Sequence, residues 1–113
     1  MLNKQLTILF LTLTLILALF YPTALAANLE TGAKIFEAQC VGCHAGGGNI
    51  VRRGKTLQKK ALQRNHVDTI ETISALVSNG KNNMSAYKDR LTEGEIQAVS
   101  AYVLEQAEKN WKN

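Results

Sequence analysis

Proline occurs once, at Pro22, and none follows it. Every helix boundary beyond that point must be set by glycines and capping side chains. Cysteine occurs twice, at Cys40 and Cys43, which excludes a disulfide framework. A single bridge between them would close so short a loop that it would constrain little of the unfolded chain. With no second cysteine pair, a structural zinc site lacks ligands. No stretch alternates polar and apolar residues with a period of two, so no strand is expected and the domain reads as all-α. Aromatic residues make up 6% of the sequence and the formal net charge is +4. The basic residues are neither numerous enough nor interleaved with stacking side chains, which excludes nucleic acid as a partner.

Charge is also missing from the beginning of the chain. Lys4 is the only charge before Glu30, and residues 6–20 are all Leu, Ile, Phe, Ala or Thr. Tyr21 and Pro22 then lead to Ala24-Leu25-Ala26. A charged start, an apolar middle and an A-x-A triplet make the pattern of a cleaved secretory signal, with the cut expected after Ala26. The alternative is an uncleaved anchor. The fifteen residues of that run would rise only about 22 Å as a helix, short of the ~30 Å hydrocarbon core. Residues 1–26 are therefore read as a leader and residues 27–113 as one domain. A domain of 87 residues is marginal on its own core and needs a staple, a metal or a cofactor.

Arg52, Arg53, Lys55, Lys59, Lys60 and Arg64 fall within thirteen residues that hold no acid. Such a run is either a solvated face or a surface that steers an acidic partner. Four helices are expected in the domain. The first starts at an Asn28 cap, runs to about Cys43 and ends in Gly46-Gly47-Gly48-Asn49. A short one covers residues 55–64. A third starts from Asp68 and Glu71, carries Ile70, Ile73 and Val77 on one face, and closes at Asn79-Gly80. Residues 81–91 lack periodicity and form a loop containing Met84. Thr92-Glu93-Gly94-Glu95 is a capping box for the last helix, on which Ile96, Val99, Tyr102 and Val103 recur at helical steps.

Cys40-Val41-Gly42-Cys43-His44 is C-x-x-C-H, the attachment signature of c-type haem. On one helical turn, two thiols three residues apart both reach the vinyl groups of one haem edge. The next residue brings an imidazole under the iron. A thioredoxin-like C-x-x-C pair would need a βαβ setting, which is lacking, and no histidine. The expected cofactor is one haem c, attached through Cys40 and Cys43, with His44 as proximal ligand. A methionine thioether is the usual sixth ligand where electron transfer at fairly high potential is wanted. Met84 is the only methionine after the leader, and it lies in a polar loop between Asn83 and Ser85, so it is favoured over a core-filling role. His66 is the other candidate ligand and reads as a surface residue.

These residues resemble the cytochrome c6 family, the carriers of cyanobacteria and algae. The likeness covers residues 28–111. It rests on Gly-Gly-Gly-Asn at 46–49, Lys55-Thr56-Leu57, Asn79-Gly80-Lys81-Asn82 ahead of Met84, Tyr102-Val103-Leu104 and Trp111. The resemblance implies a class I cytochrome c fold, with first and last helices crossing at Gly32, Phe36 and Tyr102. It implies an electron carrier without catalytic residues, donated to by the cytochrome b6f complex and oxidised by photosystem I or a terminal oxidase. It further implies a monomer of the thylakoid lumen or periplasm, without stable membrane insertion after cleavage, and an arginine at position 90 that helps docking. Two positions depart from the family. Met84-Ser85-Ala86-Tyr87 stands where Met-Pro-Ala-Phe is usual, and Leu76 stands where the main photosynthetic members place a glutamine near the haem. Both point to a divergent paralogue. Two other readings compete with the carrier. A ligand-binding sensor or peroxidase-like protein would need an open sixth position and an acid–base pair, which nothing near Met84 offers. A tethered oxidase subunit would need an uncleaved leader.

Overall fold

The computed structural model describes residues 3–20 and 24–112. Tyr21 and Pro22, read above as part of the cleavage pattern, lie outside them. Six α-helices follow in order: α1 (Lys4–Phe20), α2 (Ala24–Gln39), α3 (Val41–His44), α4 (Lys59–Arg64), α5 (Ile70–Asn79) and α6 (Glu93–Glu108). Ala45–Gly47 and Arg53–Lys55 are 3₁₀ turns. Among the described residues no strand forms; Lys81 and Met84 make one isolated bridge. The all-α expectation holds, with α1 standing apart. It buries no residue, so the packing of the domain does not depend on it. No helix among the described residues is long and apolar enough to cross a membrane.

Several boundaries fall elsewhere than expected. Asn28 does not cap the first helix but lies inside α2, because the alanine-rich residues before it are strong helix formers and continue the helix upstream. The helix also breaks at Cys40, whose φ of −118° interrupts it before α3. α4 begins at Lys59 rather than at residue 55. Leu57 is held away from helical geometry by donating to the Gly47 carbonyl at 2.8 Å and accepting from Trp111 Nε1 at 3.0 Å. α5 starts one residue later than the Asp68–Glu71 reading. Thr69 caps it, with Thr72 closing the reciprocal bond, because both threonine hydroxyls reach the opposite backbone N–H at 3.2 Å. At the other end Gly80 takes φ +67° and donates to the Leu76 carbonyl, a left-handed exit that glycine makes without strain. The Thr92–Glu95 capping box is present as expected, with the Thr92 N–H donating to Glu95 Oε2 at 2.7 Å.

The core is Phe36, Leu62, Ile73, Val77, Ile96, Val99, Val103 and Ala107, each large side chain contributing ~1.5–3 kcal/mol by leaving water. α2 crosses α6 at Gly32, where a Cβ would fall on the Ala98 carbonyl and within 2.8 Å of the Tyr102 Cβ. That close approach sets the Phe36 ring against Tyr102, with centroids 5.5 Å apart, and against Trp111 at 5.1 Å. Fully buried Ser100 donates to the Ile96 carbonyl at 2.7 Å and accepts from Ser74 at 3.0 Å. This links α5 to α6 without leaving a buried polar atom unpaired.

Candidate haem centre

The break at Cys40 gives the site its geometry. The single turn of α3 is closed by Cys43 and His44 N–H groups donating to the Cys40 carbonyl at 3.2 and 3.0 Å. This sets Cys40, Cys43 and His44 on one cavity of about 480 Å³, within the ~300–1,000 Å³ usual for cofactor sites. Cys43 is exposed at its edge and Cys40 half-buried. Burial pushes the free Cys40 thiol up to about 11, so it stays neutral. That is the opposite of the depressed value a thioredoxin-like pair requires.

After His44 the chain doubles back through Gly46 and Gly47, at φ +59° and +75°, both left-handed and suited to glycine. This brings the Gly48 carbonyl within 2.8 Å of His44 Nδ1. A carbonyl only accepts, so Nδ1 must carry the proton. Nε2 is left with its lone pair, the tautomer that a metal-ligating imidazole needs.

Met84 lines the same cavity, half-buried and packed against the core. Its loop is fixed by the paired bonds between Lys81 and Met84, both 3.0 Å. Gly80, whose Cβ would lie 2.7 Å from the Ala86 nitrogen, lets the loop pass close. Tyr87 and Lys88 then donate to the Val77 and Ser78 carbonyls of α5 at 2.9 and 3.2 Å. Leu57, Leu62, Val67, Ile73, Leu76, Val77, Val99 and Val103 form the apolar walls, while Asn49, Arg52, Lys55 and Lys81 stand among the polar lining. His66 is exposed, at φ +57°, and does not line the cavity. Sequence reading missed two contributors, the Gly48 carbonyl and the Tyr87 hydroxyl, which donates to the Gln39 carbonyl at 3.1 Å. The first could have been suspected from the glycine run. The second carries no local signal.

Two thiols, an imidazole free at Nε2 and a thioether on one largely apolar cavity suit the donor set of a c-type haem. The fold and the centre together define a c-type cytochrome with one haem. Comparison with known proteins narrows this. The family model for cytochrome c oxidase, cbb3-type, subunit III matches residues 27–103. A cytochrome c6-like protein of Nostoc sp. (strain PCC 7120) is 54% identical over 110 residues, covering 97% of this chain and 99% of its own. Cytochrome c6 of Synechococcus sp. (strain PCC 6312) is 47% identical over 106 residues, 94% of this chain and 95% of its own. The crystal structure of cytochrome c6C from Synechococcus sp. PCC 7002 superposes with a TM-score of 0.68 at 58% identity, covering 70% of this chain and 96% of that one. The chain belongs to the cytochrome c6 family and carries a covalently bound haem c, for which Cys40 and Cys43 are the cysteines available.

Proposed function

We propose that the protein is an exported, monomeric one-electron carrier and not an enzyme. Its haem is attached through Cys40 and Cys43 and ligated by His44 Nε2 and Met84 Sδ. The observation that carries this reading is the 2.8 Å bond between His44 Nδ1 and the Gly48 carbonyl, which leaves Nε2 free to bind a metal in the cavity that Met84 also lines. Haem iron supplies the ferric–ferrous couple that takes up and releases a single electron. The chain's own residues do the rest: His44 is held in one tautomer, the apolar walls exclude water, and the Cys43 edge stays exposed. Among the described residues no carboxylate lines the cavity beside Met84 to make an acid–base pair, which fits transfer of electrons rather than turnover of a substrate. The leader ends after Ala26, leaving residues 27–113 in the thylakoid lumen or periplasm. The cytochrome b6f complex is the donor and photosystem I the acceptor. A terminal oxidase is the second candidate acceptor.

Met84→Ala tests the reading. Haem should remain attached while the reduction potential falls, because a thioether stabilises the ferrous state. Cyanide or imidazole should then bind the ferric protein. An unchanged potential would remove Met84 as ligand. Oxidation rates with photosystem I particles beside those with a purified terminal oxidase separate the two acceptors.

A further inference from the structure

The only tryptophan of the sequence, Trp111, stands just past the end of α6. It is half-buried, and the chain reaches it through two successive left-handed residues, Asn110 at φ +53° and Trp111 itself at φ +56°. Residues other than glycine keep that conformation only where their surroundings impose it. The surroundings here are specific. The indole packs against Phe36, with centroids 5.1 Å apart, and meets Tyr102 edge-on at 6.2 Å. Its Nε1–H donates to the Leu57 carbonyl at 3.0 Å. Its ring also lies so close to buried Gly47 that a Cβ there would fall on the indole.

Gly47 immediately precedes the residue whose carbonyl holds His44. Gly46, Gly47 and Gly48 are three glycines in succession, with the widest choice of backbone conformations, so this turn depends on outside contacts for its shape. The Gly47 carbonyl accepts from the Leu57 N–H at 2.8 Å. The N–H of the same peptide unit, that of Gly48, donates to the Ala45 carbonyl at 3.0 Å. Both sides of that peptide are thus held. Only the Gly48 angles, φ −80° and ψ −169°, separate it from the carbonyl that takes the His44 Nδ1–H at 2.8 Å. Neither Trp111 nor Gly47 lines the haem cavity, so these contacts belong to the protein alone.

We propose that Trp111 is a positioning residue for the proximal ligand: through Leu57 and the Gly47–Gly48 peptide, it holds the Gly48 carbonyl on His44 Nδ1. The inference rests on the reading of His44 as an iron ligand. A carbonyl held at hydrogen-bond distance draws on the Nδ1–H and makes Nε2 the more basic donor. A more basic imidazole favours ferric iron, so the clamped turn keeps the potential below that of a loose one.

The test uses the haem-loaded protein. Trp111→Phe removes the indole donor together with part of the packing on Phe36. Trp111→benzothienylalanine, made by semisynthesis, puts sulfur in place of the N–H and keeps the ring shape. Ser74→Ala removes a hydrogen bond elsewhere, the one to Ser100, and is the control. In the ferrous state, deuterium exchange of the His44 Nδ1–H, followed by nuclear magnetic resonance, should quicken about 2–10-fold in both Trp111 variants, the range set by one hydrogen bond. Their potentials should rise, while Ser74→Ala should match wild type in both measurements. A merely structural tryptophan would lower thermal stability and leave the potential in place. Wild-type exchange or a wild-type potential in the benzothienylalanine protein would overturn the proposal, and so would an equal change in Ser74→Ala. A wild-type protein whose His44 ring protons lack the shift of an iron-bound imidazole would overturn the ligation reading itself.

Discussion

The Tyr87 hydroxyl donates to the Gln39 carbonyl at 3.1 Å, tying the Met84 loop to the end of α2 one residue before Cys40. The two residues lie 48 positions apart in sequence. The Arg90 guanidinium lies over a face of the same ring, 4.2 Å from its centroid. Ser85 stands where the family usually stiffens this loop with proline, so here the tie is made by a side chain of the loop itself.

Removing that hydroxyl should therefore loosen the hold on Met84. In Tyr87→Phe, the affinity of the ferric protein for imidazole should rise ~2–10-fold, the range expected from losing one hydrogen bond of net ~0.5–1.5 kcal/mol. Tyr102→Phe deletes the same atom where the described residues show it making no hydrogen bond, and its affinity should match wild type. Imidazole titration followed in the visible spectrum reads both. Equal affinities for all three proteins would leave the Tyr87 bond without a part in ligation.

What the sequence reveals of this molecule follows the distance between cause and effect along the chain. Cys40-Val41-Gly42-Cys43-His44, the Thr92–Glu95 cap and the Gly80 exit were legible because each is a contact among residues within one turn or so. The crossing of the first and last helices at Gly32, Phe36 and Tyr102 was implied by the resemblance, and the structure bears it out. The Trp111–Leu57 bond spans 54 residues and moved the start of α4. Thr69 displaced Asp68 as cap, since either residue could take the position and packing of Ile73 and Val77 set the phase. Tyr87–Gln39 exists only once the fold has brought two loops together.

The α2–α6 crossing gives a second expectation. Gly32→Ala would drive a methyl into the Ala98 carbonyl, which is backbone and cannot swing aside as a side chain can. Overpacking costs typically ~1–3 kcal/mol, and in a domain of this size each kcal/mol shifts Tm by roughly 4–8 °C. Thermal unfolding of the holoprotein should show a fall of at least about 4 °C. An unchanged Tm would mean that the helices separate without cost.

Haem attachment should govern folding. Without its cofactor, the cavity of about 480 Å³ leaves the apolar walls from Leu57 to Val103 facing water. A domain of this size has little core to offset that exposure. Cys40→Ser/Cys43→Ser, purified free of haem, should thus collapse or unfold and lose its near-ultraviolet circular dichroism. A haem-free double variant with native near-ultraviolet bands would contradict this.

Leu76 is the remaining point of divergence, and it bears on potential. It is half-buried on α5 and lines the haem cavity. A side-chain amide there can turn its N–H₂ end toward the porphyrin or the Met84 sulfur, which disfavours the ferric cation and raises the potential. Leucine removes that dipole. It also dries the pocket, which acts the other way by penalising the added charge. The directed dipole should win. It acts at short range in low dielectric, while the walls from Leu57 to Val103 are already apolar, so one more aliphatic group dries them little further. Leu76→Gln should accordingly raise the potential by tens of millivolts, on a scale where ~59 mV is a tenfold change for one electron. Redox titration of the two proteins under the same buffer reads the difference directly. A potential that stays or falls would show that drying outweighs the dipole at this site, and Leu76 would then no longer mark this chain as a lower-potential branch of its family.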